Sequence, residues 1–258
     1  MNLHGKTALV TGASSGIGEA CARQFAHAGA RLILVARRID RLDSLAREIL
    51  ASSRQESLVL ALDVRDRAAV EANLSQLPAA WGDVDILVNA AGLSRGLDKV
   101  HAGSLDDWDE MIDTNVKGLL YVTRAILPGM VARGSGHIVN IGSIAGRQIY
   151  PNGNVYCGSK AAVRAISEGM KLDLNGLAIR VTEIEPGLVN TEFGRVRFHG
   201  DQARADTAYK GMTPLAGEDV ADVILFAVTR PAHVNVSEIV LMPTDQSSTT
   251  LVHRRPVA

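Results

Sequence analysis

The chain has 258 residues, of which 47% are apolar, and its formal net charge at pH 7 is −1. This length fits one α/β domain with a sizeable core more easily than two small domains. The balanced charge and the absence of an apolar run of roughly 18 residues argue against nucleic-acid and membrane partners. Since the N-terminal residues lack a signal-peptide pattern, we expect a cytoplasmic protein. The two cysteines have no C-x-x-C spacing, so no metal site is expected.

Strand-like and helix-like segments alternate along the chain. Short apolar runs predict strands over residues 6–11, 32–36, 58–62, 86–88, 137–141, 179–184 and 238–242. The segments between them predict helices over residues 19–26, 41–51, 68–77, 104–133, 154–175 and 219–229. Because the strand-like runs are apolar throughout, they suit a parallel sheet that is buried on both faces. We predict an α/β fold with a single Rossmann-type doubly wound sheet of about seven parallel strands flanked by helices, as one domain over residues 1–258.

Two segments break this alternation. Residues 190–216 are long, glycine-containing and mixed in charge, which is typical either of a lid over a ligand site or of a plain surface excursion. The tail over residues 243–258 is polar, and we expect it either to be disordered or to dock on a neighbouring subunit.

A glycine-rich turn, TGASSGIG, joins the first strand to the first helix. Its glycines allow a tight turn and a close approach of the backbone to a dinucleotide diphosphate at the helix N-terminus. The spacing differs from the commoner G-x-G-x-x-G pattern, but the strand–turn–helix context is the required one. A purely steric role is the alternative. The candidate cofactor-binding residues here are Gly12, Ser14, Ser15, Gly16, Ile17 and Gly18.

The end of the second predicted strand bears on the choice of cofactor. NAD-binding folds usually place a carboxylate there, which bonds the adenosine 2′-hydroxyl. Arg37 and Arg38 stand there instead and favour the 2′-phosphate of NADP(H), because a guanidinium offers charge and a planar donor fork. Arg38 is alternatively only solvated.

The ends of the next two strands are further candidates for cofactor binding, since ligands bind at the carboxyl ends of strands in open α/β sheets. These residues are Asp63 and Val64 after the third strand, and Asn89, Ala91 and Gly92 at the end of the fourth. Asp63 either bonds the adenine amine or caps the next helix.

Tyr156 and Lys160 stand four residues apart in a predicted helix and therefore share one face. A phenol with an unperturbed pKa of about 10 is a poor base at neutral pH, and a nearby ammonium stabilises its phenolate. By itself the pattern is weak, because an exposed tyrosine beside an unrelated lysine also produces it.

Taken together, these residues resemble the short-chain dehydrogenase/reductase family over nearly the whole chain. The matching features are the 11–18 turn, Asn89-Ala90-Ala91-Gly92, Asn115, Ser143, Tyr156, Lys160, Pro186-Gly187 and Thr191. The sequence departs from the family at Ala90, where a second asparagine is usual; that tetrapeptide mainly steadies the central strand, so catalysis is little affected.

The resemblance implies a role for each matching residue. Tyr156 would be the acid/base, and Lys160 would lower its pKa and hold the nicotinamide ribose. Ser143 would bond the substrate oxygen, and Asn115 would anchor a water relay. The nicotinamide carboxamide would be held by Pro186, Gly187, Val189 and Thr191. A homotetramer is also implied.

Within the family, the sequence is similar to NADP-dependent 3-hydroxy acid dehydrogenases and to sulfoacetaldehyde reductases, through residues 111–115, 153–156, 185–189, 191–193, 196–198, 231–235 and 242–244. This similarity implies a small anionic carbonyl or alcohol substrate. A reductase of bulky hydrophobic carbonyls and a catalytically silent NADP-binding scaffold or sensor are the alternatives.

A small anionic substrate needs a nearby cation, and a guanidinium suits carboxylate or sulfonate. Arg147 and Tyr150 lie in the loop between the expected serine and tyrosine, and Arg195 and Arg197 lie in the expected lid. For the last two, a surface ion pair with a neighbouring carboxylate is the alternative. The cationic loop around Arg147 favours sulfoacetaldehyde reduction slightly over 3-hydroxy acid oxidation.

Overall fold

The computed structural model describes residues 2–256, which contribute seven strands to one all-parallel sheet of order β3-β2-β1-β4-β5-β6-β7. The strands are β1 (Thr7–Thr11), β2 (Arg31–Ala36), β3 (Ser57–Ala61), β4 (Ile86–Asn89), β5 (Gly136–Ile141), β6 (Ile179–Pro186) and β7 (Glu238–Leu241). The predicted doubly wound sheet is confirmed. Its strand order reverses between β1 and β4, which opens a crevice at the carboxyl ends of these strands.

Helices cover both faces of the sheet. They are α1 (Gly16–His27), α2 (Ile39–Ser53), α3 (Arg67–Leu74), α4 (Leu105–Ile112), α5 (Leu119–Arg133), α6 (Asn154–Asp173), α7 (Phe193–Arg197), α8 (Gln202–Thr207) and α9 (Gly217–Val228). One apolar core lies between the sheet and α1, α2 and α9, and a second lies under α3, α5 and α6. Because both faces are covered, the central strands are almost wholly apolar. None of the helices in residues 2–256 is long and apolar enough to cross a membrane.

The helix predicted over residues 104–133 is interrupted in the middle. Ser104 caps α4 by accepting a hydrogen bond from the backbone N–H of Asp107 at 3.3 Å. A π-helical turn, Asp113–Gly118, then separates α4 from α5. Such turns widen a helix locally and are frequent at functional sites. Periodicity in the sequence does not reveal it, since one inserted residue shifts the apolar pattern only slightly.

The segment over residues 190–216 contains the short helices α7 and α8, which are too short to produce a readable periodicity. The described part of the tail packs on its own chain: the backbone N–H of Leu188 donates to Gln246 Oε1 at 2.8 Å, and the Arg255 N–H donates to the Gly211 carbonyl at 2.7 Å. Residues 257 and 258 of the expected tail lie outside the described residues.

Candidate active site

Tyr156 lies near the start of α6 and is almost completely buried, with 9% of its surface exposed. The ring of Phe193, from α7, packs edge-on against it with the ring centroids 5.6 Å apart. Tyr156 lines a cavity together with residues that follow β4, β5 and β6, such as Gly92, Ser143 and Gly187. An unrelated exposed tyrosine is therefore excluded.

Lys160 is also buried, and its ammonium donates a hydrogen bond to the carbonyl of Ile141 at 2.7 Å. Burial lowers the pKa of Lys160 to about 8, although the nearby Glu183 opposes the shift. Lys160 lines the same cavity as Tyr156, one helical turn away.

Asn115 is held in the π-helical turn by three hydrogen bonds. Its side-chain oxygen accepts from the Leu93 N–H at 2.8 Å, and its amide donates to the Leu93 carbonyl at 2.8 Å and to Ser159 Oγ at 3.0 Å. A Cβ at Gly92 would lie 3.3 Å from Asn115 Oδ1 and 3.5 Å from Lys160 Nζ. The amide and the ammonium therefore converge on this glycine, which leaves space for polar atoms between them.

Ser143 lies two residues after the end of β5, and its hydroxyl accepts a hydrogen bond from the Ala145 N–H at 3.1 Å. Burial raises the pKa of Tyr156, while the positive charge of Arg197 and a hydrogen bond with Ser143 oppose this. Arg197 is thus a cation that favours the phenolate, a role in which sequence reasoning did not place it. The serine and the tyrosine come together as expected.

A cavity of about 340 Å³ opens in front of these side chains. Its walls include Ser143, Tyr150, Tyr156, Lys160 and Arg197. All four residues expected to hold the carboxamide, Pro186, Gly187, Val189 and Thr191, also line it. The cavity therefore contains both the expected acid/base and the loop after β6.

Arg197 lies at the end of α7 with its guanidinium carbon 5.2 Å from the ring centroid of Tyr156. It donates hydrogen bonds to the hydroxyls of Tyr150 and Ser94. Burial raises the pKa of Tyr150 to about 12 despite the opposing charge of Arg197, so this hydroxyl keeps its proton and can donate it. Arg197 and Tyr150 together form a cationic, donating wall beside the acid/base.

The structure does not support the expected substrate contacts of Arg147 and Arg195. The Arg147 guanidinium forms ion pairs with Glu185 and Glu238, and it does not line the cavity. Arg195 lies 3.7 Å from Glu192 on the surface of α7, as the ion-pair alternative predicted. The buried carboxylate of Glu185 accounts for the position of Arg147, because a charge that is removed from water requires a partner.

A second cavity, of about 260 Å³, follows the glycine-rich turn and meets the first at Ile17, Gly92 and Thr191. A Cβ at Gly12 would lie 2.9 Å from the Ala90 carbonyl, and one at Gly18 would overlap the carbonyl of Gly12. These glycines thus allow the turn to approach the segment after β4, and they leave the N-terminus of α1 facing the cavity. The walls include all six expected residues of the turn and also Asp63, Val64, Ala91 and Gly92. An elongated space at a helix N-terminus fits a dinucleotide.

Arg37 and Arg38 both line this second cavity but differ in their contacts. The Arg37 guanidinium is half exposed and lies 4.0 Å from Asp63 and 3.8 Å from Glu110, so its donors can reach a 2′-phosphate. Arg38 donates to Ser14 Oγ at 3.1 Å and to Glu192 at 2.8 Å. It is therefore not merely solvated, and it joins the glycine-rich turn to the segment that carries α7.

Asp63 does not cap the following helix, since Asp66 does so by accepting from the Ala69 N–H at 3.0 Å. Burial would raise the pKa of Asp63, but hydrogen bonds from Arg65 outweigh it and lower the pKa. The carboxylate therefore stays ionised at the cavity wall, where it can accept a hydrogen bond from an adenine amine.

Asn89 departs from its expected role in cofactor binding. Its amide donates to Thr123 Oγ1 at 3.0 Å and to Asn140 Oδ1 at 2.9 Å, and it lines neither cavity. The side chain of a residue inside a strand faces a sheet surface rather than the strand end, so Asn89 joins β4 to β5 and α5.

Comparisons with known proteins agree with this geometry. A family model described as short chain dehydrogenase matches residues 6–202. The NADP-dependent 3-hydroxy acid dehydrogenase YdfG of Escherichia coli (strain K12) is 50% identical over 250 residues, which are 96% of this chain and 99% of that protein. Sulfoacetaldehyde reductase 2 of Chromohalobacter salexigens is 48% identical over 240 residues, 93% of this chain and 94% of that protein. A solved structure, the closed form of serine dehydrogenase complexed with NADP+, matches with a TM-score of 0.90 and 48% identity over 96% of this chain and 100% of that chain.

Proposed function

Because the chain belongs to the short-chain dehydrogenase family, we propose that it oxidises the hydroxyl group of a small 3-hydroxy acid and catalyses the reverse reduction of the oxo acid. The cofactor is NADP(H), for which Arg37 and the second cavity provide a fitting site; YdfG is NADP-dependent by name, and the solved serine dehydrogenase is complexed with NADP+. When bound, NADP accepts or supplies the hydride.

The observation that carries the substrate class is the position of Arg197. It places a guanidinium beside the Tyr156 phenol inside a cavity of about 340 Å³. A guanidinium binds a carboxylate through two parallel hydrogen bonds. A short hydroxy acid can thus place its carboxylate on Arg197 while its hydroxyl reaches Tyr156 and Ser143.

The other steps, which are proton transfer, orientation of the substrate and exclusion of water, fall to residues of the site. Tyr156 takes the proton from the substrate hydroxyl at its phenolic oxygen, and Ser143 orients the substrate oxygen. The charges of Arg197 and Lys160 favour the phenolate form of Tyr156. Asn115, next to Lys160 at Gly92, holds the water through which the proton leaves. Phe193 and α7 exclude bulk water from this space.

Reduction of sulfoacetaldehyde to isethionate is the second candidate. A sulfonate also suits a guanidinium, and the relative from Chromohalobacter salexigens supports this reaction. The slight preference that the loop around Arg147 suggested loses its basis, because Arg147 pairs with Glu185 and Glu238. We therefore place the 3-hydroxy acid first.

Steady-state kinetics with matched substrates test this order. We expect kcat/KM with NADP+ to be at least about 10-fold higher for 3-hydroxypropionate or serine than for isethionate, since 1.4 kcal/mol in transition-state binding corresponds to that factor. Malonate semialdehyde and sulfoacetaldehyde test the reductive direction with NADPH. A reversed preference would favour the second candidate, and equal, feeble turnover of all of them would contradict both.

Two variants address the rival functions. Tyr156→Phe should lower kcat by about 10²–10⁴-fold while NADPH still binds, because the acid/base alone is removed. Unchanged turnover in this variant would exclude the proposed chemistry, whereas a wild type that binds NADPH without any turnover would leave the NADP-binding scaffold or sensor. A reductase of bulky hydrophobic carbonyls would tolerate Arg197→Ala, which a dehydrogenase of small acids would not.

A further inference from the structure

Two glutamates interrupt the apolar pattern of β6, and both are buried. Glu183 is 1% exposed and Glu185 is 0% exposed. Neither carboxyl oxygen of Glu183 has a hydrogen-bond partner among residues 2–256, and Glu185 lacks one for Oε1. Burying an unpartnered carboxyl is costly, so Glu183 is not explained by stability. The mechanism proposed above does not use it.

The register of the sheet places Glu183 behind Lys160. It pairs with Asn140 on β5, so both side chains leave the same face of the sheet. Asn140 donates a hydrogen bond to Ser167 Oγ of α6 at 2.9 Å, and this face is therefore the one that α6 covers. Lys160 lies on the same face of α6, two turns before Ser167.

The Glu183 carboxyl and the Lys160 ammonium contact two consecutive residues, Gly142 and Ile141, at the end of β5. A Cβ at Gly142 would overlap Glu183 Oε1, so the carboxyl lies directly over this glycine. Lys160 Nζ donates to the carbonyl of Ile141, the preceding residue. Gly142 is also followed immediately by Ser143. The carboxyl is thus packed against the backbone that positions the lysine and the serine.

The charge balance around this carboxyl is unusual. The charged groups that face it are Glu185 on its own strand, Glu238 on β7, Arg147 after β5 and Lys160 on α6, while Arg164 of α6 faces Glu185. Arg147 is engaged by the other two carboxylates. Burial, together with Glu185 and Glu238, raises the pKa of Glu183 to about 8, and burial lowers the pKa of Lys160 to about 8.

We propose that Glu183 is a positioning residue that acts through Lys160: it ionises as the solution becomes alkaline and keeps the lysine ammonium charged and in place. The inference rests on the proposed dehydrogenase function. Two groups with similar affinity for protons release them as a coupled pair. If the carboxyl gives up its proton first, the resulting carboxylate retains the proton on the neighbouring ammonium. The site then holds its cation at a pH at which an isolated buried lysine would lose it.

The sign of the effect follows from the charges. A carboxylate beside Lys160 raises the pKa of the lysine, so Glu183→Gln should lower it. Without the ammonium, the phenolate of Tyr156 is less favoured and kcat for oxidation falls. The loss in Glu183→Gln should therefore grow with pH, since glutamine matches the protonated acid and not the carboxylate.

The test is the dependence of kcat on pH for oxidation of 3-hydroxypropionate with saturating NADP+, a substrate without an amine to titrate. Glu183→Gln should move the alkaline limb down by about one pH unit, which is roughly a 10-fold lower kcat above the limb. Glu183→Asp keeps a carboxylate one methylene further back and should give an intermediate limb. Glu238→Gln, the matched control, removes a carboxylate that raises the pKa of Glu183, so the limb should not move down.

The outcomes separate this inference from the function on which it rests. No turnover by the wild type would contradict the proposed function. Wild-type turnover with an alkaline limb that stays in place or moves up in Glu183→Gln would overturn the inference, as would an equal loss at every pH. Where Glu183→Gln does not fold, which thermal unfolding reveals, Glu183→Asp alone decides: an unmoved limb overturns the inference.

Discussion

At the scale of single residues, the main question is which arginine is placed to bind the substrate anion. Arg147, Arg195 and Arg197 are all candidate anion ligands in the sequence, with Arg147 favoured by its place in the loop between Ser143 and Tyr156, but their contacts differ in the structure. Arg147 neutralises two glutamates, Arg195 faces a surface carboxylate, and only Arg197 of the three lines the cavity of Tyr156. The choice among them depends on where distant acids lie: Glu185 and Glu238 are 38 and 91 residues away from Arg147.

Arg197→Ala should therefore impair catalysis, whereas Arg147→Ala should reduce stability. Loss of Arg197 removes charge-assisted hydrogen bonds worth about 1.5–3 kcal/mol, so kcat/KM for 3-hydroxypropionate should fall about 10–100-fold. Because Arg197 lowers the pKa of Tyr156, the acid limb of the oxidation profile should also move to higher pH. Steady-state kinetics across the pH range measures both effects.

Arg147→Ala is the matched control for this comparison. It leaves the buried Glu185 uncompensated and should destabilise the protein by about 3 kcal/mol, which appears as a lower midpoint of thermal unfolding. Its KM for the substrate should stay within about 2-fold of the wild type, a difference of about 0.4 kcal/mol, because Arg147 does not line the cavity. A large KM increase for Arg147→Ala, with none for Arg197→Ala, would reverse the assignment.

Among the secondary-structure elements, helix α7 is the one that links the substrate cavity to the cofactor cavity. It carries Arg197 and Phe193 into the substrate cavity, and it begins next to Glu192. The Glu192 carboxylate accepts from Arg38 and Arg41, both at 2.8 Å. Substrate contacts are thereby linked to the β2–α2 turn that lines the cofactor cavity. We propose that this segment acts as the lid expected over residues 190–216, with the ion pairs as its attachment.

Glu192→Gln should loosen this attachment. Exposed ion pairs contribute about 0.2–1 kcal/mol each, so the loss of the two short pairs with Arg38 and Arg41 predicts a KM for the hydroxy acid that is roughly 2- to 30-fold higher. The midpoint of thermal unfolding should change little. Glu48→Gln, which removes a comparable exposed pair with Arg23, is the control. Equal KM values for both variants would argue against a role of Glu192 in the lid.

At the scale of the whole molecule, several apolar side chains face outward. Leu120 on α5, Leu172 on α6 and Val240 on the edge strand β7 are exposed, the second by 73%. An uncovered edge strand and apolar helix faces favour association with other chains. We propose that they are covered in the homotetramer that the family resemblance implies.

Leu172→Glu should disrupt such an assembly, because it places a charge in an apolar contact. Light scattering coupled to size exclusion should give four times the 27.4 kDa of one chain for the wild type and a smaller mass for the variant. Leu50→Glu, on α2 and 54% exposed, should leave the mass unchanged. A monomeric wild type would contradict the proposal directly.

Sequence reasoning reached the sheet, the cofactor and the residues that line the two cavities because their signals are local. Apolar runs, the glycine spacing around Gly12 and the four-residue interval between Tyr156 and Lys160 each fall within one or two elements. The NADP prediction from Arg37 is confirmed for the same reason, since the end of β2 is a defined place in this fold.

The sequence by itself thus determined the parallel sheet, the glycine-rich turn and the placement of Tyr156 and Lys160 on one helix face. Only the tertiary structure decided which arginine lines the cavity of Tyr156, that Asn89 stays within the sheet, and that a buried Glu183 lies behind Lys160. The physical reason is that charges and amides take partners across the whole fold. Their pairing depends on which strands become neighbours, and no short stretch of sequence contains that information.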